Sequence, residues 1–295
     1  MAPAWKEAYS MQILNGRPIA DKLLNNVADG IFEMQGYPVL ASVAVGYNQA
    51  SQAYLHGIRK DCQRCGILME EYTLLERATE GQVAELIHRL NMSPVDGIIL
   101  QRPLPPQITD DIYDVMPSVK DVDCVNTYNI AALTKNIPIF TPCTAQAVMT
   151  LLDGYNIELE GKRCVIVGRS LSVGRPLASM MLARNATVTV CHSKTKDLSS
   201  VCSEADILVS AVGSPGIITT DHIKNGAVVV DVGTTPSPDG LLGDVDFEHV
   251  AEKVSAITPK HGGVGPITRA VLMANVLEAA RMRLDMENEE VKTGG

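Results

Sequence analysis

The residues with the most chemical content lie past the middle of the chain, where an apolar run, Cys164 to Val167, passes into Gly168-Arg169-Ser170-Leu171-Ser172-Val173-Gly174-Arg175-Pro176. Glycines at such a turn let the backbone come close to a ligand, and the following helix offers phosphates free N–H groups and the positive end of its dipole. The spacing is not GxGxxG, so the place of this loop in a βαβ unit carries the assignment, against the plain alternative of a turn with no ligand. The next strand ends in Cys191-His192-Ser193-Lys194-Thr195. Enzymes that bind NAD usually place an acid there, on the ribose 2′-hydroxyl. None is present, whereas Ser193, Lys194 and Arg169 suit a 2′-phosphate through charge-assisted hydrogen bonds. NADP is therefore expected in preference to NAD, with hydride transfer as the chemistry; a polar, solvated turn is the alternative. Cys62 and Cys65 form a CxxC, but no second pair or neighbouring histidine completes a zinc site. The pair also falls near a helix end marked by Gly66, the wrong end for stabilising a thiolate. No metal is expected.

Positioning these groups calls for an α/β chain, and 295 residues suggest two domains. In the first half, Ala20, Leu23, Leu24, Val27 and Ile31 recur at helical spacing. VLASVAVG reads as a buried strand, followed by a helix from 50 to 65, a strand ILMEEYTLL, a helix EGQVAELIHRLN, a strand DGIIL and a proline-rich loop QRPLPPQ. The stretch from Lys120 to Pro142 shows no period and reads as a loop. Thr144 is a candidate cap for the helix AQAVMTLLDGY. Beyond Gly161 the runs RCVIVG, VGRPLASMMLARN, TVTVC, DILVSAVG, AVVVDVG and VSAIT alternate as in a Rossmann-like domain. The expected layout is a first domain over 1–145, completed by a helix over 267–285, a Rossmann-like domain over 146–266, and an exposed tail over 286–295.

A net charge of -9 and a pI near 5.2 argue against nucleic acid, whose binders gather Lys and Arg. The N-terminal residues lack a secretory pattern and no run of about 18 apolar residues occurs, so no membrane partner is expected and the location reads as cytoplasmic. Seven scattered cysteines, an odd number, agree with a reducing compartment.

Taken together, VGYNQASQAY, DGIILQRPLP, KDVDCVN, PCT, VGRSLSVGRPLA, NATVTVCHSKT, GDVDF and ITPKHGGVGP resemble, in order and near spacing, the bifunctional methylenetetrahydrofolate dehydrogenase/methenyltetrahydrofolate cyclohydrolases. The resemblance implies a homodimer of two-lobed subunits, with an N-terminal α/β folate domain, a Rossmann-like NADP domain, and a last helix returning to the first lobe. It implies that folate lies in a cleft against the nicotinamide. Hydride transfer from 5,10-methylenetetrahydrofolate gives the methenyl compound, and hydration of that gives the 10-formyl compound. Tyr54 would stack on the aminobenzoyl group, Gln101 would lie by the reacting carbon, and Asp123 would hydrogen-bond the pterin. Gly262, Gly263 and Pro266 would lie near the substrate, and Gly168, Arg169, Ser170, Val173, Gly174, Ser193, Lys194 and Gly233 would hold the cofactor. Without the motifs, Tyr54 reads as a core aromatic, Gln101 as a loop amide, Asp123 as a cap or ion-pair partner, and the glycines as a turn.

The resemblance breaks at the family's acid/base, a lysine one helical turn after the tyrosine. Here that position is Ile58, which can neither donate nor accept a proton. Arg59, Lys60 and His56 are rotated off that face. Cys124 stands where glycine is usual, Ala145 and Ala147 where Pro and Gly follow PCT, and Lys260-His261 where Val-Pro is usual; Tyr47 and Gln49 also depart. The expectation is an NADP-dependent dehydrogenase with weak or absent cyclohydrolase activity. A bifunctional enzyme using Lys260 or His261 as substitute base, and a non-catalytic folate- or dinucleotide-binding subunit, are the alternatives.

Overall fold

The computed structural model describes residues 11–34, 36–237 and 240–293. In chain order the elements are β1 (Gln12–Ile13), α1 (Arg17–Met34), β2 (Val39–Val45), α2 (Gln49–Cys65), β3 (Leu68–Leu74), α3 (Glu80–Asn91), β4 (Gly97–Leu100), α4 (Thr127–Thr134) and α5 (Cys143–Gly154). They continue as β5 (Arg163–Val167), α6 (Gly174–Ala183), β6 (Thr187–Cys191), α7 (Leu198–Cys202), β7 (Ile207–Ser210), β8 (Val228–Asp231), β9 (Thr235–Ser237), β10 (Gly240–Leu242), α8 (Phe247–Val250), β11 (Ala256–Ile257) and α9 (Val264–Thr293). They form two compact units. One comprises Asp21–Cys143 and the chain from Arg269; the other comprises Thr144–Thr268 and the residues before Asp21.

The first unit is built on a parallel sheet in the order β3-β2-β4. Every residue of β4 is buried, as expected of a continuous apolar strand covered on both faces. Thr79 begins α3 with a capping box closed by Gln82. Helix α9 is fixed to this unit by polar contacts: Asn275 Nδ2 donates to the carbonyls of Val122 (2.8 Å) and Thr141 (3.0 Å), and Arg283 Nε to buried Asp96 (2.7 Å). At Gly30 of α1 an added Cβ would lie 2.8 Å from Leu277, so these helices pack without room for a side chain.

The second unit carries a six-stranded sheet in the order β1-β11-β8-β7-β5-β6, parallel throughout. Val165, Val167, Leu208, Val229 and Ile257 form the centre of its core. This is the Rossmann-like arrangement, in which ligands gather at the carboxyl ends of the strands.

Four details differ from the sequence expectations. The Lys120–Pro142 stretch contains α4, whose start is capped by Asn126 accepting from the Asn129 N–H (2.8 Å). Only Asn129, Ala132 and Leu133 of this short helix are buried, too few to produce a period. Thr144 lies inside α5, because Pro142 sets the helix start at Cys143. The described residues before Asp21 join the Rossmann-like unit through the two-residue pairing of β1 with β11. Helix α9 continues through 286–293, where a tail was expected: 286–289 are exposed but helical, since no Gly or Pro follows Pro266 within the helix and Arg283 pairs with Glu287 one turn on (2.9 Å).

Candidate functional site

In the Rossmann-like unit, β5 and β6 end side by side, with Val167 opposite Cys191. Arg169 and Ser193 each stand two residues beyond that pair, so sheet register alone brings them together at the carboxyl edge. Gly168 has φ +128°, and a Cβ on it would collide with the Ala211 carbonyl; a Cβ on Gly174 would collide with the Gly168 carbonyl. Only glycine fits either place, and the loop folds into a close backbone cradle. Ser170 Oγ accepts from the N–H groups of Val173 (3.1 Å) and Gly174 (3.4 Å), capping α6. Arg169, Ser193 and Lys194 are exposed. The turn carrying the last two is closed by Thr195 N–H on the His192 carbonyl (2.8 Å) and His192 N–H on Thr195 Oγ1 (2.9 Å). A loop pinned by two glycines at a helix start, beside exposed basic and hydroxyl groups, fits a dinucleotide that carries a further phosphate.

Two carboxylates that sequence reasoning missed hold this edge in shape. Fully buried Asp244 accepts from Ser210 Oγ (3.0 Å) and from the N–H groups of Val212 (2.8 Å) and Ser214 (2.8 Å). Asp231 accepts from the N–H groups of Gly233 (2.8 Å), Asp244 (3.0 Å) and Val245 (2.9 Å). Burial pushes the Asp231 carboxyl up from its ordinary range, and the three N–H donors oppose the shift. Gly233 has no room for a Cβ, which would collide with Asp244. The signal was the GDVDF block, in which Asp244 is the acid that ties loops together.

Gly262 has φ +84° and its carbonyl accepts from the Gly16 N–H (2.8 Å), while a Cβ on Gly16 would collide with the Gly263 carbonyl. The close approach made by these glycines is thus to their own unit. Gly265 faces open space, and Pro266 lies in the first turn of α9. Lys260 Nζ pairs with Glu248 (2.6 Å), and with His261 it helps line a cavity of about 270 Å³ that also includes Asp231, Gly243 and Thr258.

In the first unit, α2 carries Tyr54, Ile58 and Asp61 on one face. Tyr54 is 36% exposed. Its hydroxyl is held well above the ordinary tyrosine range, first by burial, then by Asp123, Cys143 and Asp61, with Arg269 opposing. Ile58 is fully buried. Gln101, just past β4, is anchored by its N–H on the Val43 carbonyl (2.8 Å) and by Nε2 on Ser42 Oγ (3.1 Å). Ser51 Oγ donates to the Arg102 carbonyl (2.6 Å), tying the start of α2 to the residue after Gln101.

The structure separates the residues of KDVDCVN by task. Lys120 Nζ donates to the carbonyls of Asn91 (3.0 Å) and Ser93 (3.0 Å) at the end of α3. Buried Asp121 accepts from the N–H groups of Val125 and Asn126 (both 2.9 Å) and from Asn129 Nδ2 (2.9 Å). Asn126 caps α4. Asp123 remains, half-buried, and its charge helps to raise both the Tyr54 hydroxyl and the Cys143 thiol, the latter donating to the Val122 carbonyl (3.5 Å). Burial, reinforced by Asp121, pushes its carboxyl up to about 6, against Cys143 and Arg102. Cys124 takes a left-handed conformation (φ +56°), a backbone state that suits the glycine expected there, and its thiol reaches the Phe140 carbonyl (3.3 Å). Ala145 and Ala147 are both fully buried.

Cys62 and Cys65 are buried, their thiols pushed up to about 12 and about 11 chiefly by burial, as befits packing groups rather than reactive ones. Among the described residues there is no cluster of three metal-ligating side chains, and no helix is long and apolar enough to cross a membrane.

Comparison with known proteins agrees with this division. Residues 14–123 match the tetrahydrofolate dehydrogenase/cyclohydrolase catalytic domain, and 142–284 match the NAD(P)-binding domain of the same proteins. The chain belongs to the tetrahydrofolate dehydrogenase/cyclohydrolase family. It is 44% identical over 273 residues to the bifunctional protein FolD of Methanosphaerula palustris, covering 92% of this chain and 98% of that one. The crystal structure of the bifunctional FolD of Campylobacter jejuni superposes with a TM-score of 0.89 at 42% identity, over 93% of this chain and 100% of that one. The Trypanosoma brucei enzyme, solved with NADP and an inhibitor, gives 0.88 at 34% identity, over 93% and 98%. Set in this family, the first unit is the catalytic domain, and Ile58 lies on the helix face that carries Tyr54.

Proposed function

We propose that this chain oxidises 5,10-methylenetetrahydrofolate to 5,10-methenyltetrahydrofolate with NADP, and that its cyclohydrolase activity is weak or absent. The observation that carries the reading is Ile58: a fully buried, apolar side chain one turn after Tyr54, where proton transfer during hydration would need a titratable group. The names of the relatives cover both activities, so loss of the second rests on this residue alone.

The oxidation makes little demand on acid/base groups. When bound, NADP supplies the acceptor for the hydride that leaves the bridging carbon, and no proton moves in that step. The chain's own residues then have binding and alignment as their task. Arg169, Ser193 and Lys194 hold the 2′-phosphate, and the Gly168–Gly174 cradle receives the pyrophosphate. Tyr54 stacks on the folate, Gln101, fixed by Ser42, lies by the reacting carbon, and Asp123 takes the pterin N–H donors. Hydration differs, because water must lose a proton as it adds.

The test is to mix the purified chain with 5,10-methylenetetrahydrofolate and NADP and to follow two signals separately: reduced cofactor, and decay of added methenyl compound. Reduction without accelerated decay is the expected result. Decay that is lost on replacing Lys260 or His261 would show a substitute base and a bifunctional enzyme, and neither signal would mean a binding subunit. The homodimer implied by the family belongs to the same proposal and is read by light scattering.

A further inference from the structure

If α2 supplies no cation at the folate half-site, the charge there comes from α9. Arg269 Nε donates to Asp61 Oδ2 at 2.7 Å, between side chains that are 27% and 9% exposed. Gly57 makes the room: a Cβ on it would lie 2.8 Å from Arg269 Nε, 2.9 Å from Cδ and 3.0 Å from Cζ. The guanidinium therefore lies across bare helix backbone at Gly57, clamped at Nε by Asp61, one helical turn along α2 from Tyr54. Among the described residues neither Nη group has a hydrogen-bonding partner. The Nη edge of this partly exposed side chain reaches the surface, where it is free to donate to the acceptor of a bound ligand.

Resting on the folate reading above, we infer that Arg269 is a substrate-binding residue whose Nη edge donates to the ring carbonyl oxygen of the pterin. A pterin presents N–H donors beside a carbonyl acceptor on one edge. Asp123 matches the donors, and Arg269, seated on α2 one turn from Tyr54, matches the acceptor. A guanidinium keeps its proton across the working pH range, so this residue binds and orients folate without serving as the base that Ile58 lacks.

Three variants of the full chain test it. Arg269→Met should raise KM for 5,10-methylenetetrahydrofolate about tenfold to hundredfold, the range for a lost hydrogen bond to a charged group. The KM for NADP should stay unchanged. Gly57→Ala keeps the arginine and its partner but pushes the guanidinium off its seat, so it should raise folate KM about fivefold with a normal melting curve. Arg269→Lys should retain most affinity near neutral pH and lose it as pH rises and the ammonium, facing Asp61 with Tyr54 one helical turn away, gives up its proton. That alkaline limb should be absent from the unaltered chain, and a purely structural arginine would not create it. Should Arg269→Met not fold, the other two variants decide. Unchanged folate KM in Gly57→Ala and a flat alkaline profile in Arg269→Lys would overturn the assignment. Failure of the unaltered chain to reduce NADP would strike at the proposed function instead; calorimetric affinity for 5,10-methenyltetrahydrofolate would then decide on Arg269, with equal affinity in Arg269→Met overturning it.

Discussion

On the proposed reading, a lysine at Ile58 restores a group able to move the proton of hydration, and the structure sets what that change does. Ile58 is fully buried, so the new stem replaces apolar volume of similar size and little area is lost. The ammonium is the unfavourable part. Its nearest acid on the helix face, Asp61, is already held by Arg269 at 2.7 Å, so the new charge meets a neutralised partner and a like charge. Burial and Arg269 both push the lysine pKa down, which favours a neutral amine able to accept a proton at neutral pH. Stability should fall by about 2–4 kcal/mol, the usual effect of introducing an imperfectly paired polar group. At roughly 2–4 °C per kcal/mol for a domain of this size, the melting temperature should drop about 5–15 °C. Decay of methenyltetrahydrofolate should rise about a hundredfold or more, the contribution expected of a positioned base. The assay is the absorbance of the methenyl compound, followed against a buffer blank, beside a melting curve. A folded Ile58→Lys protein no faster than the unaltered one, with the unaltered chain already well above the blank, would refute the assignment of the missing base to this position.

Further expectations concern the two half-sites one at a time. Unaltered protein should prefer NADP to NAD in kcat/KM, and Arg169→Ala or Ser193→Ala should reduce that preference through the NADP term; equal use of both cofactors by the unaltered chain would contradict it. Gly174→Ala sets a methyl against the Gly168 carbonyl and should abolish measurable NADP binding in a titration while leaving folate affinity in place. Asp123→Ala should weaken folate use by tenfold or more on the scale of a lost charged hydrogen bond, with NADP affinity unchanged in the absence of folate. Burial pushes the Asp123 carboxyl up to about 6, and on the proposed reading its ionised form takes the pterin N–H groups. As pH falls through that value the carboxylate is protonated, so kcat/KM for folate should fall about tenfold per unit below it. A flat acid limb down to pH 5 would show that the ionised form is not the one that binds.

Much of this molecule is written in its local patterns. Continuous apolar runs, glycine ends and helical spacing were enough to place β2 to β8 and α2, α3 and α6, because a strand buried on both faces or a helix with one buried stripe leaves a periodic trace. The loop after β5 and the turn after β6 were legible for the same reason: both follow a clear strand, and their register is that of neighbouring parallel strands. Elements with too little buried surface to impose a period, such as α4 and the two-residue β1, left no such trace. Nor could sequence alone sort the acids. In KDVDCVN, Asp121 and Asp123 are two residues apart and chemically identical, and only the packing gives one of them donors at Val125, Asn126 and Asn129 and leaves the other half-buried without them. Arg269 was likewise invisible as a site residue. It lies 208 positions from Asp61, and what seats it is the absence of a side chain at Gly57, a fact about space that exists only once α2 and α9 are packed.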